Sequence, residues 1–267
     1  MKTRMIALAL CVLPISAAAT GKAGAQIFPA QGVSALIVDS SAGEITVQGT
    51  TGDKITVEGM RDNAKLCAVD INIKDGKLVI NERLKSNHLG GKEKLGFKIL
   101  VPSTVPVVIN AGMGSIKLSK LNSATEVNVG AGSVDLQSVS GALLIKIGMG
   151  SLTGKDITSA NTNLSVDGNI DLSGLTGALR LAGGMSSAKL QWAAAPTAGE
   201  INISVTGPLE MSFPAAAKLN FRLPASGKIA NDFVSAADGV PLTVTSALSS
   251  TISIRKTKKG KNKDVTK

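Results

Sequence analysis

Apolar and polar residues alternate in short runs through most of the chain, and between residues 112 and 192 the runs recur every 18 positions. GMGSIKLSK (112–120), GAGSVDLQS (130–138) and GMGSLTGKD (148–156) are three copies of one phrase. VDGNIDLSG (166–174) and GMSSAKLQW (184–192) are looser copies. Within each copy the period is two: Ile116 and Leu118, Val134 and Leu136, Ile170 and Leu172. Alternation of this kind predicts strands with every second side chain turned inward. A further inward residue follows three positions later, at Leu121, Val139, Ile157 and Leu175.

Small residues mark a half-period of nine. Gly114, Gly132, Gly141, Gly150, Gly168 and Gly177 share one grid, with Ser123, Ser159 and Ser186 at its other points. Glycine turns a corner without the Cβ clash that other residues meet. Each coil is therefore expected to hold two short strands and two turns. Repeats of this length need their neighbours to bury an apolar face. The reading is an all-β, parallel β-solenoid with 18-residue coils. A left-handed helix of hexapeptides also gives 18 residues per coil, but stepping by six from Leu118 mixes corner and core residues. Parallel crossovers are overwhelmingly right-handed, which favours a right-handed single-stranded β-helix.

Short alternating strands continue outside the repeats at 43–47, 53–57, 76–80 and 96–100. Others follow at 201–205, 208–213, 218–223, 241–245 and 251–255. AAAPTAGE (193–200) breaks the grid, and NERLKSNHLGGKEK (81–94) reads as a polar loop.

Residues 1–25 have the form of a secretory signal peptide. Lys2 and Arg4 precede an apolar run from Met5 to Ile15, and Ala23-Gly24-Ala25 is a small-x-small cleavage site. Cleavage after Ala19 is an alternative. Cys11 follows Leu10, where a lipidation signal calls for a small residue. No later segment approaches the length of a membrane span. Residues 26–254 then form one solenoid domain, at a periplasmic or cell-surface address.

Charge changes the picture only at the C-terminus. The precursor carries +10, but removal of the leader leaves 26 basic against 19 acidic side chains. RKTKKGKNKDVTK (255–267) holds seven of the basic ones: Arg255, Lys256, Lys258, Lys259, Lys261, Lys263 and Lys267. This segment has too little apolar surface to pack and is expected to be a disordered tail. It is the candidate contact with an anionic membrane surface, each basic residue contributing about 1 kcal/mol there. A solvated, solubilising tail explains it equally well. The solenoid itself is nearly neutral, and no basic stripe of the kind that binds nucleic acid crosses the repeats.

Little catalytic chemistry is available. His88 is the only histidine, and Cys67 is the only cysteine beyond the leader. One of each cannot make a typical zinc site, and no intramolecular disulfide is possible in the mature chain. Cys67, in KLCAVDINI (65–73), reads as a buried apolar residue. The nine-residue half-period invites a calcium-binding nonapeptide reading. However, Asp135 and Asp171 fall three residues after their glycines rather than two, which puts them on another face. The GxG pairs lead into strands rather than helix N-termini, so they make no phosphate loop.

Lys117, Asp135, Thr153 and Asp171 occupy one outward column. Asp135 and Asp171, two coils and roughly 9–10 Å apart, are the carboxylate pair a carbohydrate-active β-helix enzyme would use. Solvated face residues explain them more simply. With five Phe, one Trp and no Tyr, the chain can hardly build an aromatic platform for sugar or nucleic acid. Trp192 aligns on the grid with Lys120, Ser138, Asp156 and Gly174, an outward column. The disturbance at 193–200 favours an inward, structural Trp192.

LVPSTVPVVINAGMGSIKL (100–118), GAGSVDL (130–136) and GNIDLSGLTGAL (168–179) together resemble the bacterial putative-adhesin family of exported β-strand-repeat proteins. Val101-Pro102 through Ile116 carries that family's phrase of spaced valine, isoleucine and glycine. The likeness spans roughly residues 33–255. It implies a single β-solenoid at the envelope or surface, and it brings no catalytic residues. The expected function is a non-enzymatic, adhesin-like or scaffold module without a cofactor, whose partners are an envelope protein, a glycan or an anionic membrane. A carbohydrate-active enzyme and a membrane-apposed envelope-stress accessory are the competing readings.

Overall fold

The computed structural model describes residues 24–59, 66–85, 95–225, 227–246 and 251–257. The leader up to residue 23, His88 and the basic residues from Lys258 onward lie outside them. The described chain is all-β, and its mostly parallel sheet is not closed into a barrel.

The N-terminal part contains β1 (Gln26–Pro29), β2 (Ala35–Thr50), β3 (Lys54–Gly59), β4 (Cys67–Lys74), β5 (Lys77–Leu84) and β6 (Gly96–Pro102). β2 pairs in parallel with β5 through its first half and with β6 through its second. β3 lies antiparallel to β6 and to β1, and β4 antiparallel to β5. These antiparallel strands cover the N-terminal end of the stack, where an open parallel edge would invite another chain.

The repeats form β7 (Val107–Leu121), β8 (Thr125–Val139), β9 (Leu143–Ile157) and β10 (Asn161–Leu175), which pair in sequence order in parallel. β7 also pairs with β2. Leu118, Leu136 and Leu172 are buried at equivalent positions, as are Ile116, Val134, Leu152 and Ile170. The layer-to-layer step is 18 residues from β7 to β9. Between β9 and β10 it is 19 in the first half and returns to 18 at Gly168. At Gly154, which takes a leucine's place in its column, the side chains of Leu172 and Ile157 fill the space.

One expectation needs correction. From β7 to β10 each coil holds a single long strand rather than two, whereas the next layer does hold two short ones, Ala178–Gly183 and Ser187–Trp192. Gly114, Gly132, Gly150 and Gly168 bend the long strands at φ between 138° and 151°, yet stay paired with the layers on either side. The other half of the nine-residue grid, at Ser123, Gly141, Ser159 and Gly177, supplies the turns between strands. A third corner was not anticipated. Lys120, Ser138 and Asp156 adopt left-handed φ of 57°, 55° and 56°, and Gly174 follows at 78°. This residue breaks the alternation, which is why Leu121, Val139, Ile157 and Leu175 return inward three positions after the preceding core residue.

Leu136 has no measurable exposure, whereas Lys120 stands on the surface. Leu136→Ala is expected to cost about 2–5 kcal/mol of folding stability and Lys120→Ala under about 0.5 kcal/mol, by urea denaturation. Equal small effects would contradict the inward–outward assignment.

The C-terminal part comprises β11 (Ala178–Gly183), β12 (Ser187–Trp192), β13 (Ile201–Val205), β14 (Leu209–Phe213), β15 (Leu219–Arg222), β16 (Lys228–Asn231), β17 (Val240–Ser246) and β18 (Thr251–Lys256). Trp192 is buried, as expected, for a reason other than the insertion that follows it. The left-handed residue is missing from this layer, so Trp192 pairs with Leu175 instead of Gly174. It stacks on Phe213 at 4.3 Å, and Phe213 meets Phe233 edge-on at 6.2 Å.

Stacking leaves sequence order at both ends. β2 sits between the β5/β6 layer and β7. β17 and β18 sit between β13/β14 and β15/β16. The 18-residue phrase is absent from both regions, so nothing there forces consecutive layers to be neighbours. Asn81–Leu84, expected within the 81–94 loop, belongs to β5, and residues 86–94 lie outside the described residues.

Candidate functional site

Two residues before three of the four bend glycines stands another, off the nine-residue grid: Gly112, Gly130 and Gly148. A Cβ on Gly130 would lie 2.6 Å from the carbonyl oxygen of Gly112, and one on Gly148 would lie 2.6 Å from that of Gly130. Backbone is packed against backbone along this column, and no side chain fits. The outer surface is correspondingly hollow there. A groove of about 710 Å³ crosses β5, β2, β7, β8, β9 and β10, and so runs along the stacking direction.

One wall is the outward column two residues before the glycines: Asp39, Asn110, Asn128, Lys146 and Ser165. Asn128 Nδ2 donates to Asn110 Oδ1 at 3.0 Å, and Asn110 Nδ2 donates to Asp39 Oδ1 at 2.7 Å. The amides form a ladder ending on a carboxylate. At the far end, Asp167 Oδ1 accepts the backbone N–H of Gly184 at 2.5 Å. One residue past the glycines, Met113 and Met149 are 54% and 69% exposed, unusual for large apolar side chains.

At its near end the groove reaches Glu82 and Arg83. Glu82 continues the inward alternation of Leu78 and Ile80 and is 2% exposed. Ser40 Oγ donates to its Oε2 at 2.6 Å, while Oε1 has no partner. Burial pushes the Glu82 carboxyl above its ordinary value of 4.5, against hydrogen bonds from Ser40 and Cys67 that favour the charged form. Burial, reinforced by the Glu82 charge, pushes the Cys67 thiol up to about 12. Cys67 is thus a buried, unreactive thiol.

A raised carboxyl favours the protonated fold. The stability that Glu82 contributes is complete below 4.5 and is lost as pH rises through the higher folded-state value. Glu82→Gln should therefore flatten the fall in stability as pH rises above 4.5 in urea titrations. An identical fall in both proteins would rule out Glu82 as its source.

The sequence-derived positions lie elsewhere. Lys117, Asp135, Thr153 and Asp171 do form one exposed column in direct register. Thr153 Oγ1 donates to Asp135 Oδ1 at 3.3 Å, and Lys117 pairs with Glu44 at 2.7 Å. Asp135 and Asp171 stand two layers apart on an open face. Of the basic segment, Arg255 and Lys256 belong to β18 rather than to a tail. Arg255 pairs with Asp232 at 2.8 Å, and the Lys256 ammonium lies 5.3 Å from the Phe233 ring centre. Lys258, Lys259, Lys261, Lys263 and Lys267 lie outside the described residues.

Among the described residues, no group of three or more His, Cys, Asp or Glu side chains is placed to hold a metal. Nor, among those residues, is any helix long and apolar enough to cross a membrane. The groove's signal was present in the sequence. A polar residue, Asn110, Asn128 or Lys146, precedes the off-grid glycine by two positions in three successive copies.

Two solved structures are similar to the chain. One is a putative cell adhesion protein from Clostridium sporogenes ATCC 15579, at 14% identity over 88% of this chain and 100% of that one, with a TM-score of 0.30. The other is a putative adhesin from Bacteroides fragilis NCTC 9343, at 16% identity over 89% of this chain and 98% of that one, with a TM-score of 0.47. No curated protein matches. The family model described as putative auto-transporter adhesin, head GIN domain, matches residues 37–231, spanning the groove and every layer of the repeat. The chain belongs to that family.

Proposed function

We propose that the protein is an exported β-solenoid that works at the cell envelope as an adhesin-like contact module, without catalysing a reaction, and that the groove is its contact surface. A right-handed coil fits the parallel crossovers, and the leader-like residues 1–25 support export. The observation that carries the reading is the glycine column. Gly112, Gly130 and Gly148 keep one outward strip free of side chains across three layers, beside an amide ladder. Each of these glycines adds backbone entropy to the unfolded chain, so the strip comes at a cost in stability. The basic residues beyond β18 add attraction to anionic headgroups within the same reading.

Binding of the fluorescently labelled protein to intact bacterial cells tests it. Saturable binding is expected. Asn128→Arg, which places a bulky outward side chain over the groove, should remove most of it while leaving the thermal unfolding curve in place. Saturable binding that survives Asn128→Arg would move the contact surface elsewhere. Absence of saturable binding would contradict the adhesin reading itself.

A further inference from the structure

We propose that the last layer of the stack, β15 and β16, is a membrane-docking tip that sets the solenoid end-on against a bilayer surface of anionic phospholipid. The proposal deepens the adhesin reading and rests on it for the address at the envelope.

Charge selects the end. Residues 26–217 carry 16 basic and 16 acidic side chains, so most of the stack has no net charge. Residues 218–267 carry 10 basic side chains against 3 acidic ones. All the positive charge that remains without the leader is therefore gathered in the last part of the chain. In the fold, β15 and β16 form the terminal layer and pair only with β17 and β18. Asp238 holds Lys218 at 2.8 Å, and Asp232 holds Arg255 at 2.8 Å. Among the described residues, Arg222, Lys228 and Lys256 form no ion pair. The chain then runs on through Lys258, Lys259, Lys261, Lys263 and Lys267, which lie outside the described residues.

Exposed apolar side chains stand at the same end. Val234 is 90% exposed, and Ile229 of β16 is 37% exposed. Val234 lies in the link between β16 and β17. The Lys218 carbonyl accepts the Val240 N–H, so this side of β15 faces β17. The link folds over the opposite edge: Phe221 N–H donates to Ser235 Oγ at 3.1 Å, and Ala236 N–H donates to the Leu219 carbonyl at 2.9 Å. Phe233 anchors the link inward against Phe213, and the next residue, Val234, stands out beyond the last layer.

An apolar side chain held out beside unpaired cations suits a bilayer surface. The apolar part enters the boundary between headgroups and acyl chains, and the cations stay with the lipid phosphates. Two apolar side chains are too few for the desolvated centre of a protein interface, whereas a bilayer asks for no shape complementarity. The other end of the stack also exposes apolar residues, Ile27 of β1 and Ile73 of β4, but it belongs to the part without net charge. Docked by β15 and β16, the stack rises from the lipid. The last groove layer, β10, then stands four layers, or roughly 19 Å, above the tip, and the groove runs away from the membrane.

Val234→Cys, labelled with a polarity-sensitive fluorophore in the chain from Gln26 to Lys267, tests the proposal. Cys67 is buried, so the label goes to the new thiol. Mixed vesicles of phosphatidylcholine and phosphatidylglycerol should bind the protein and shift the emission to the blue. Vesicles of phosphatidylcholine alone should do neither, and the same label on Ile27→Cys should stay silent. In co-sedimentation of unlabelled protein, Arg222→Gln and Lys228→Gln should each weaken binding about fivefold, and Val234→Ser about threefold.

Binding to the mixed vesicles with the probe at position 234 silent would overturn the tip and leave only a tether beyond Thr257. An equal blue shift at position 27 would overturn the end-on orientation. No binding to either vesicle, with saturable cell binding intact, would overturn the membrane as partner and leave the adhesin reading standing.

Discussion

Gly132→Val is expected to abolish cooperative folding, a loss of more than about 4 kcal/mol. Gly132 sits at φ 150°, a conformation that only glycine adopts readily. A Cβ there would collide with the carbonyl oxygen of Gly114 in the layer below. Neither side can yield. Gly114 is itself in register with Gly43 on one face and with Gly132 on the other, and Gly132 with Gly150. Displacing one bend would break ladder hydrogen bonds in two layers at once. Ser133→Val, one residue on and exposed, should cost under about 0.5 kcal/mol. Urea denaturation of the two variants makes the comparison. A Gly132→Val protein that unfolds cooperatively, within about 1 kcal/mol of the parent, would mean that the layers are not stacked through this column.

Trp192→Ala should cost about 3–5 kcal/mol. The indole is 1% exposed and stacks on Phe213 at 4.3 Å, and its Nε1 donates to the carbonyl oxygen of Gly177 at 3.3 Å. Truncation would leave a cavity where the aliphatic column of Leu121, Val139, Ile157 and Leu175 gives way to aromatic rings. Rigid ladder-bonded backbone on each side limits how far that cavity can collapse. Because the tryptophan is unique, near-ultraviolet circular dichroism of the parent reports on the same contact. Trp192→Phe should recover part of the loss, since ring stacking survives while the Nε1 hydrogen bond does not. A loss below about 1 kcal/mol for Trp192→Ala would place the indole at the surface, in the column of Lys120 and Ser138.

The repeat core is legible in the sequence because one physical rule governs it. Side chains alternate across a strand, and identical layers stack identical positions. Val127, Val134, Leu136 and Val139 could therefore be assigned without coordinates, and all are buried. The left-handed corner was hidden because lysine, serine and aspartate announce no backbone conformation, and only Gly174 hints at it. The misalignment of Trp192 follows from that corner, since a count of 18 assumes that every layer keeps it.

Stacking order at the ends was not legible either. Periodicity tells which residues face inward, not which layer lies beside which, and β2 and β17 each pair with partners distant in sequence. Glu82 was misread because a charged residue in a polar stretch suggests a loop, although Leu78 and Ile80 place it on an inward position. The groove was half visible. Its glycines, Gly112, Gly130 and Gly148, showed in the sequence only as the first members of GxG pairs, and the pattern does not reveal that they let backbones approach and leave the outer surface hollow.

The most direct test of the contact surface is a two-dimensional amide NMR titration of the protein with solubilised surface material from the bacterial cells it binds. Shifts should concentrate at Gly112, Gly130 and Gly148 and at the side-chain amides of Asn110 and Asn128. Shifts confined to the column of Lys117, Asp135, Thr153 and Asp171, with the glycines silent, would contradict the account.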